Sequence, residues 1–210
     1  MSESVPVTIV NVGYLSTNYW VISAGRSRLL VDLGYPGTMG TMQARLKQMD
    51  IPLKEIRYAL ATHYHIDHAG LAQELKLAGV SLLVLDVQVH AIPLMKRFTK
   101  PRDHYVDISL DGNLIISSAD SRRLLEQIGI RGEVLPTPGH SDDSVSLLLD
   151  DGAVFTGDLP PLELAWGEAA ETVKASWRLL AEKGAKRVYP AHGGIRLLES
   201  STGGSVSSII

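Results

Sequence analysis

The chain contains no cysteine, which excludes disulfide bridges and thiolate metal ligands. No stretch approaches the roughly 18 apolar residues of a membrane-spanning helix, and residues 1–6 lack the basic and then apolar pattern of a signal peptide. The 20 basic and 23 acidic side chains give a net charge of −3, so no overall field attracts a polyanion. We therefore expect a cytoplasmic protein that binds neither a membrane nor nucleic acid.

The length and composition are those of a globular protein. With 210 residues, of which 45% are hydrophobic, the chain can bury a substantial core. No linker rich in proline, glycine or serine interrupts the middle of the chain, and we find no internal repeat. A low-complexity stretch covers residues 200–208, where termini commonly fray. We predict a single domain over residues 1–198 and a flexible tail over residues 199–210.

The hydrophobic pattern predicts strands that alternate with helices. The predicted strands cover residues 7–12, 19–23, 28–32, 57–62, 81–85, 133–137, 144–149, 153–156 and 187–190. The predicted helices cover residues 38–49, 69–77, 87–98, 119–127 and 168–183. The order of elements by itself is compatible with one doubly wound sheet or with two sheets covered by helices.

Five of the seven histidines lie in three short motifs, each just after a predicted strand. The motifs are Thr62-His63-Tyr64-His65-Ile66-Asp67-His68, Thr137-Pro138-Gly139-His140 and Pro190-Ala191-His192. A fourth motif, Thr156-Gly157-Asp158, adds a carboxylate. Residues two apart on an extended segment point to the same side, so His63 and His65 can bind one ion together. The turn that follows directs Asp67 and His68 toward a second ion.

The chemistry of these side chains favours particular metals. Imidazole and carboxylate ligands without a thiolate suit Zn²⁺, with Mn²⁺ or Fe as alternatives. Three protein ligands for each ion leave a coordination position for water, as catalytic sites require. The motifs therefore predict a catalytic site with two divalent metal ions, for which Zn²⁺ is the first choice.

The four ordered motifs resemble the metallo-β-lactamase-fold hydrolase superfamily over residues 18–194. The resemblance implies an α+β fold with four layers, an αβ/βα sandwich in which helices flank two mixed β-sheets. It assigns one set of ligands to the first metal: His63, His65 and His140. It assigns another set to the second metal: Asp67, His68 and His192. Asp158 would bridge the two metals, and Asp32 would support the ligand loop from behind.

The resemblance also implies the reaction. A hydroxide that bridges the two metals would attack the substrate, and Asp67 or Asp158 would act catalytically by passing a proton to the leaving group. The substrate would be a small-molecule ester, thioester or lactone. Two alternatives stay open, namely a phosphodiesterase or nuclease of the same fold and a mononuclear iron dioxygenase that acts on persulfides.

Departures from the family pattern narrow the choice of branch. The absence of cysteine excludes the β-lactamases with a cysteine ligand, which leaves a glyoxalase II-like or lactonase-like branch. Glyoxalase II enzymes hold glutathione with a C-terminal helical domain, whereas 18 residues follow His192, so we do not expect a glutathione thioester. Lactonases typically carry a tyrosine shortly after the bridging aspartate, where this chain has Leu159-Pro160-Pro161, and the lactone is therefore less favoured.

The long segment 86–102 between two ligand motifs is a candidate lid over a small anionic substrate. We predict an extra helix there with Asp86 as its N-cap, followed by four cations: Lys96, Arg97, Lys100 and Arg102. Lys96 and Arg97 are therefore candidate substrate-binding residues, although the cations also suit a solvated face. Tyr14 and Trp166 are further candidates for the pocket wall, and either also suits a packing role. A homodimer is compatible with the sequence.

Overall fold

The computed structural model describes residues 6–198. The predicted tail lies outside the described residues, and the predicted domain boundary stays a prediction. The first sheet has six strands in the order β1-β2-β3-β4-β5-β6. They are β1 (Val7–Asn11), β2 (Trp20–Ala24), β3 (Ser27–Val31), β4 (Ile56–Leu60), β5 (Ser81–Leu85) and β6 (Leu114–Ile116). The strands β1 to β3 are antiparallel, whereas β3 to β6 run parallel.

The second sheet has five strands in the order β11-β10-β9-β8-β7. They are β7 (Gly132–Pro136), β8 (Val145–Leu149), β9 (Ala153–Gly157), β10 (Arg187–Pro190) and β11 (Arg196–Leu197). β9 and β10 are parallel, and the other neighbours are antiparallel, so β7, β9 and β10 all run in one direction. Both sheets are therefore mixed.

Within residues 6–198, five α-helices accompany the sheets. They are α1 (Met39–Gln48), α2 (Ile66–Ala69), α3 (Ala72–Leu77), α4 (Ser118–Glu126) and α5 (Ala170–Glu182). Because successive side chains of a strand point to opposite faces, each sheet buries both of its faces. On the outer face of the first sheet, Val21 and Leu30 belong to one core cluster with Met42 of α1.

The core between the sheets uses the alternate positions of the same strands. Ile22 and Leu29 of the first sheet pack in one cluster with Leu147 and Phe155 of the second. On the far side of the second sheet, Val154 packs in a cluster with residues of α5. The order of layers is therefore helix, sheet, sheet, helix, and the predicted four-layer α+β fold is confirmed.

The predicted helix over residues 87–98 is wrong. Two short 3₁₀ turns, Asp86–Gln88 and Ile92–Phe98, occupy this segment. Pro93 has no N–H to donate and a fixed φ, so an α-helix cannot continue through it. Asp86 begins the first turn, where its Oδ1 accepts a hydrogen bond from the Val87 N–H at 2.8 Å, instead of capping an α-helix.

Other differences from the predicted elements are smaller. The strands β6 and β11 were not predicted, because three-residue and two-residue segments are too short to show a clear alternation. The predicted helix 69–77 is divided by Gly70 and Leu71 into α2 and α3, and α2 begins earlier, at Ile66. Over residues 6–198, no helix has both the length and the apolar character needed to cross a membrane.

Candidate metal centre

The predicted ligands lie at the carboxyl ends of strands from both sheets. Asp32 follows β3, His63 and His65 follow β4, His140 follows β7, Asp158 follows β9, and His192 follows β10. Within each sheet these strands run in the same direction, so their loops lie along one edge. The loops of the two sheets meet there, as required for a site built on a rigid scaffold.

The first ligand set consists of His63, His65 and His140, whose ring nitrogens lie within 4.8 Å of one another. His65 Nδ1 is 3.0 Å from His63 Nε2 and 3.1 Å from His140 Nε2. A tetrahedral ion with bonds of about 2.0–2.1 Å holds its ligand atoms about 3.4 Å apart. The spacing of the three nitrogens therefore fits one shared ion.

The second ligand set consists of Asp67, His68 and His192. Asp67 Oδ2 lies 3.4 Å from His68 Nε2 and 3.4 Å from His192 Nε2. These distances also match the separation that a shared tetrahedral ion imposes.

Asp158 lies between the two sets. Its Oδ2 is 3.6 Å from His140 Nε2 of the first set and 3.4 Å from His68 Nε2 of the second. Its Oδ1 is 3.3 Å from His192 Nε2. The structure therefore brings all seven predicted ligands into one cluster, with Asp158 in the position expected of a bridging ligand.

Three atoms of this cluster lack a hydrogen-bond partner. His68 Nδ1, His68 Nε2 and Asp158 Oδ1 are buried, and none of them has a hydrogen-bond partner among the described residues. A buried polar atom without a partner costs about 1–3 kcal/mol, so such atoms point to a ligand. Because divalent ions bind imidazole nitrogen and carboxylate oxygen, the residues fit the metals that the motifs predict.

The ligand histidines are oriented from behind. His68 Nδ1 lies 3.1 Å from Asp32 Oδ2, and both side chains are buried. Asp32 Oδ1 accepts hydrogen bonds from the N–H and the hydroxyl of Thr62, both at 2.8 Å. His192 Nδ1 lies 2.6 Å from the carbonyl oxygen of Ser16, to which it donates. In His192 this contact leaves Nε2 free to face the cluster.

The protonation of the two sets differs. Burial and the neighbouring histidines, His68 foremost, hold the pKa of His63 well below its ordinary value of 6.5. Burial also disfavours a charged His68, but the carboxylates of Asp32, Asp158 and Asp67 outweigh it and raise its pKa well above 6.5. Burial raises the pKa of Asp67, yet His68 and His192 overcome this effect and lower it to about 2.

Gly157 allows the β9 loop to approach the first ligand loop. Its φ of +54° lies in the left-handed region that favours glycine. A Cβ atom at this position would lie 2.3 Å from Thr62 Oγ1, the hydroxyl that donates to Asp32. The Thr-Gly-Asp motif therefore uses glycine so that Asp158 can reach the cluster.

Gln88 and Asp143 lie behind the first ligand set, and sequence reasoning missed both. Gln88 is fully buried, its amide nitrogen donates to the Ala61 carbonyl at 3.0 Å, and its Oε1 accepts from the Leu85 N–H at 3.1 Å. The same nitrogen lies 3.3 Å from the Asp143 carbonyl, and the Asp143 carboxylate accepts from the Tyr64 N–H at 2.7 Å. Gln88 thereby joins the loop of His63 and His65 to the loop of His140.

The loop before β2 supports the second ligand set, which sequence reasoning also missed. Thr17 Oγ1 donates to Asp67 Oδ2 at 3.3 Å. The Asn18 amide donates to the carbonyls of Pro190 and Gly193 at 3.0 and 2.9 Å, on either side of His192. No local spacing marks these residues, because their partners lie far along the chain.

The structure places the candidate substrate-binding residues in different surroundings. The Tyr14 hydroxyl lies 2.6 Å from Thr38 Oγ1, and the Tyr14 ring packs edge-on against Tyr19, with centroids 4.9 Å apart. Trp166 is 83% exposed. Lys96 Nζ lies 2.5 Å from Asp107 Oδ2, in an exposed ion pair.

Arg97 and Phe98 follow Lys96, and both are exposed. The Phe98 ring centroid lies 6.2 Å from that of His65. In this segment, Phe98 therefore contacts a ligand of the first set, whereas Lys96 pairs with Asp107. Sequence reasoning considered the cations of this segment and overlooked Phe98.

Comparison with known proteins identifies the superfamily to which the chain belongs. The family model of the metallo-beta-lactamase superfamily matches residues 12–192, so the chain belongs to this superfamily of metal-dependent hydrolases. The resemblance predicted from the motifs is thereby confirmed.

Curated relatives share 27–32% of the aligned residues. A lactamase-like protein of Pestalotiopsis microspora is 30% identical over 84% of this chain and 49% of its own length. A beta-lactamase-like protein 2 homolog of Caenorhabditis elegans is 27% identical over 84% of this chain and 56% of its own length. A hydroxyacylglutathione hydrolase of Shewanella halifaxensis is 32% identical, with coverages of 75% and 51%. The chain thus spans about half the length of these relatives.

Solved structures show the same fold at lower identity. A metallo-beta-lactamase family protein from Thermus thermophilus superposes with a TM-score of 0.68, at 20% identity over 90% of this chain and 74% of that chain. The FEZ-1 metallo-beta-lactamase from Legionella gormanii superposes with a TM-score of 0.67, at 18% identity over 90% of this chain and 78% of that chain.

Proposed function

We propose that the chain is a dinuclear metal-dependent hydrolase that cleaves a small-molecule ester, thioester or lactone. The observation that carries the proposal is the position of Asp158, whose two oxygens face both ligand sets at 3.3 to 3.6 Å. A single tetrahedral ion binds about four ligands, so seven ligand-type side chains are more than one ion can bind. Similarity to a protein named hydroxyacylglutathione hydrolase supports an acyl bond, and a thioester in particular, as the bond cleaved.

In this reaction the histidines and carboxylates of the cluster would hold the ions, and two of the carboxylates would also move protons. When bound, two divalent ions would supply Lewis acidity and a hydroxide nucleophile near neutral pH. Asp67 and Asp158 would be ionised there, because nearby histidines outweigh the effect of burial and lower the pKa of both carboxyl groups. Either carboxylate can then accept a proton from water and pass it to the leaving group. No serine or cysteine nucleophile is required.

Metal content and a substrate panel test the proposal together. We expect about two equivalents of Zn²⁺ or Mn²⁺ by elemental analysis, and hydrolysis of at least one chromogenic ester, thioester or lactone. His140→Ala should reduce both, whereas His90→Ala is a matched control, because His90 pairs with Asp142 at the surface. One equivalent of iron together with persulfide oxidation would replace the proposal by the dioxygenase. Turnover of phosphodiesters alone would replace it by a phosphodiesterase.

A further inference from the structure

Phe98 differs sharply from the other phenylalanine of the chain. Phe155 is completely buried between the two sheets, whereas Phe98 is 62% exposed. Single exposed apolar side chains are common on protein surfaces and need no explanation by themselves. Phe98, however, lies beside a metal-ligand candidate, with its ring inclined at 64° to that of His65 at a centroid distance of 6.2 Å.

The backbone that carries Phe98 is anchored in the core. Within the turn Ile92–Phe98, Ile92 and Met95 are buried in the cluster that also contains α1. The Tyr105 hydroxyl contacts Met95 Sδ at 3.8 Å, and the Thr99 hydroxyl donates to the Lys96 carbonyl at 3.0 Å. A side chain held in this way can contact a substrate without a large loss of conformational entropy on binding.

Phe98 places an apolar aromatic ring beside the first ligand set, whose three side chains are all imidazoles. Of the neighbouring cations, Lys96 is engaged by Asp107. We infer that Phe98 forms an apolar wall at the first ligand set and selects substrates with an uncharged alkyl or aryl acyl group. This inference rests on the proposed function and specifies its substrate class.

Binding of carboxylate products tests the wall without turnover. The probes are acetate, butyrate, hexanoate and octanoate, titrated by calorimetry into the metal-loaded protein. In the wild-type protein we expect Kd to fall by about fourfold for each methylene that is buried. Phe98→Ala should weaken this dependence, so that Kd for octanoate rises about tenfold while Kd for acetate stays within about twofold. Phe98→Leu should retain most of the dependence.

Two controls separate the wall from a structural role. Leu77→Ala removes another exposed apolar side chain, at the end of α3, and should leave the dependence on chain length unchanged. Metal content should be equal in all variants. A flat dependence in the wild-type protein, an equal dependence in Phe98→Ala, or metal loss in Phe98→Ala would each overturn the inference. If no ester, thioester or lactone is hydrolysed while Phe98 still controls the dependence on chain length, the wall is supported and the proposed hydrolase is refuted.

Discussion

The two ligand sets contain three side chains each but have opposite electrostatics. The first set, His63, His65 and His140, joins loops of both sheets and contains no carboxylate. The second set contains a carboxylate and is backed by another, that of Asp32, 3.1 Å from His68. Burial and the neighbouring histidines lower the pKa of His63, whereas carboxylates outweigh burial and raise that of His68. The comparison shows that the carboxylates around a buried histidine decide whether its pKa is raised or lowered.

The largest effect is expected from removing the side chain of Asp158, which faces both sets. In Asp158→Ala we expect both metal equivalents to be lost, and hydrolysis to fall by roughly a thousandfold or more. His192→Ala should empty only the second set and retain about one equivalent. Elemental analysis after gel filtration, with activity on the same samples, measures both quantities. Equal metal loss in the two variants would contradict the division into sets.

Asp32 tests the support of the second set. Asp32→Ala leaves the buried His68 without its partner, so the free energy of unfolding of the metal-free protein should fall by about 3 kcal/mol. The affinity of the second set for Zn²⁺ should fall by about 10-fold to 100-fold. Asp142→Ala, which removes the exposed partner of the exposed His90, is the matched control and should change stability by less than about 1 kcal/mol. Comparable losses in both variants would refute this role.

Gln88 tests the support of the first set. Gln88→Met keeps the volume but removes the hydrogen bonds to Ala61 and Leu85, so the first set should bind Zn²⁺ about tenfold more weakly. The second set should be unaffected. Gln127→Met, at an exposed position, is the control, and competition with a chelating dye measures the affinities. Weaker Zn²⁺ binding by the second set, with unchanged binding by the first, would contradict this role of Gln88.

Proton release on metal binding compares the sets directly. His68 has a folded pKa well above its ordinary value of 6.5, so the metal-free protein holds a proton there at pH 6.5 and the second set must release it. The pKa of His63 is lowered, so it is already neutral. We expect release of about one proton for the second ion and less for the first. Zn²⁺ titrations in buffers of different ionisation enthalpy, on wild type and His192→Ala, measure the difference. Equal release would contradict it.

The raised pKa of His68 also makes the stability of the metal-free protein depend on pH. The contribution of His68 is fully present below pH 6.5, and it is lost as the pH rises through the folded pKa of this histidine. Urea unfolding of wild type and His68→Gln at several pH values checks the sign. Stabilisation by His68 that grows with pH would refute it.

The smallest expected effect concerns the cations of segment 86–102. Because Asp107 already engages Lys96, Lys96→Ser should raise KM for an anionic substrate by no more than about twofold. Arg97→Ser, at an exposed position, should behave similarly. Steady-state kinetics with matched anionic and neutral substrates measures both. A tenfold rise in KM for the anionic substrate alone would instead support the charged lid predicted from the sequence.

The sequence predicted the metal centre better than it predicted what surrounds that centre. Ligand spacing is local, and the four motifs follow strands whose alternation is also local, so both were recognisable. The predicted helix over residues 87–98 failed because Pro93 interrupts a segment whose composition is otherwise helical. No sequence motif marks Gln88 or Phe98 as part of the site, because their contacts depend on where another loop passes.

By itself, the sequence determined which side chains can ligate a metal, that none of them is a thiolate, and that His63 and His65 share one side of an extended segment. Only the tertiary structure decided that Gln88 joins two ligand loops and that Phe98 lies beside His65. The physical reason is that these contacts join residues far apart in the chain. Their distances are set by how the two sheets pack, and side-chain packing is not encoded in any short window.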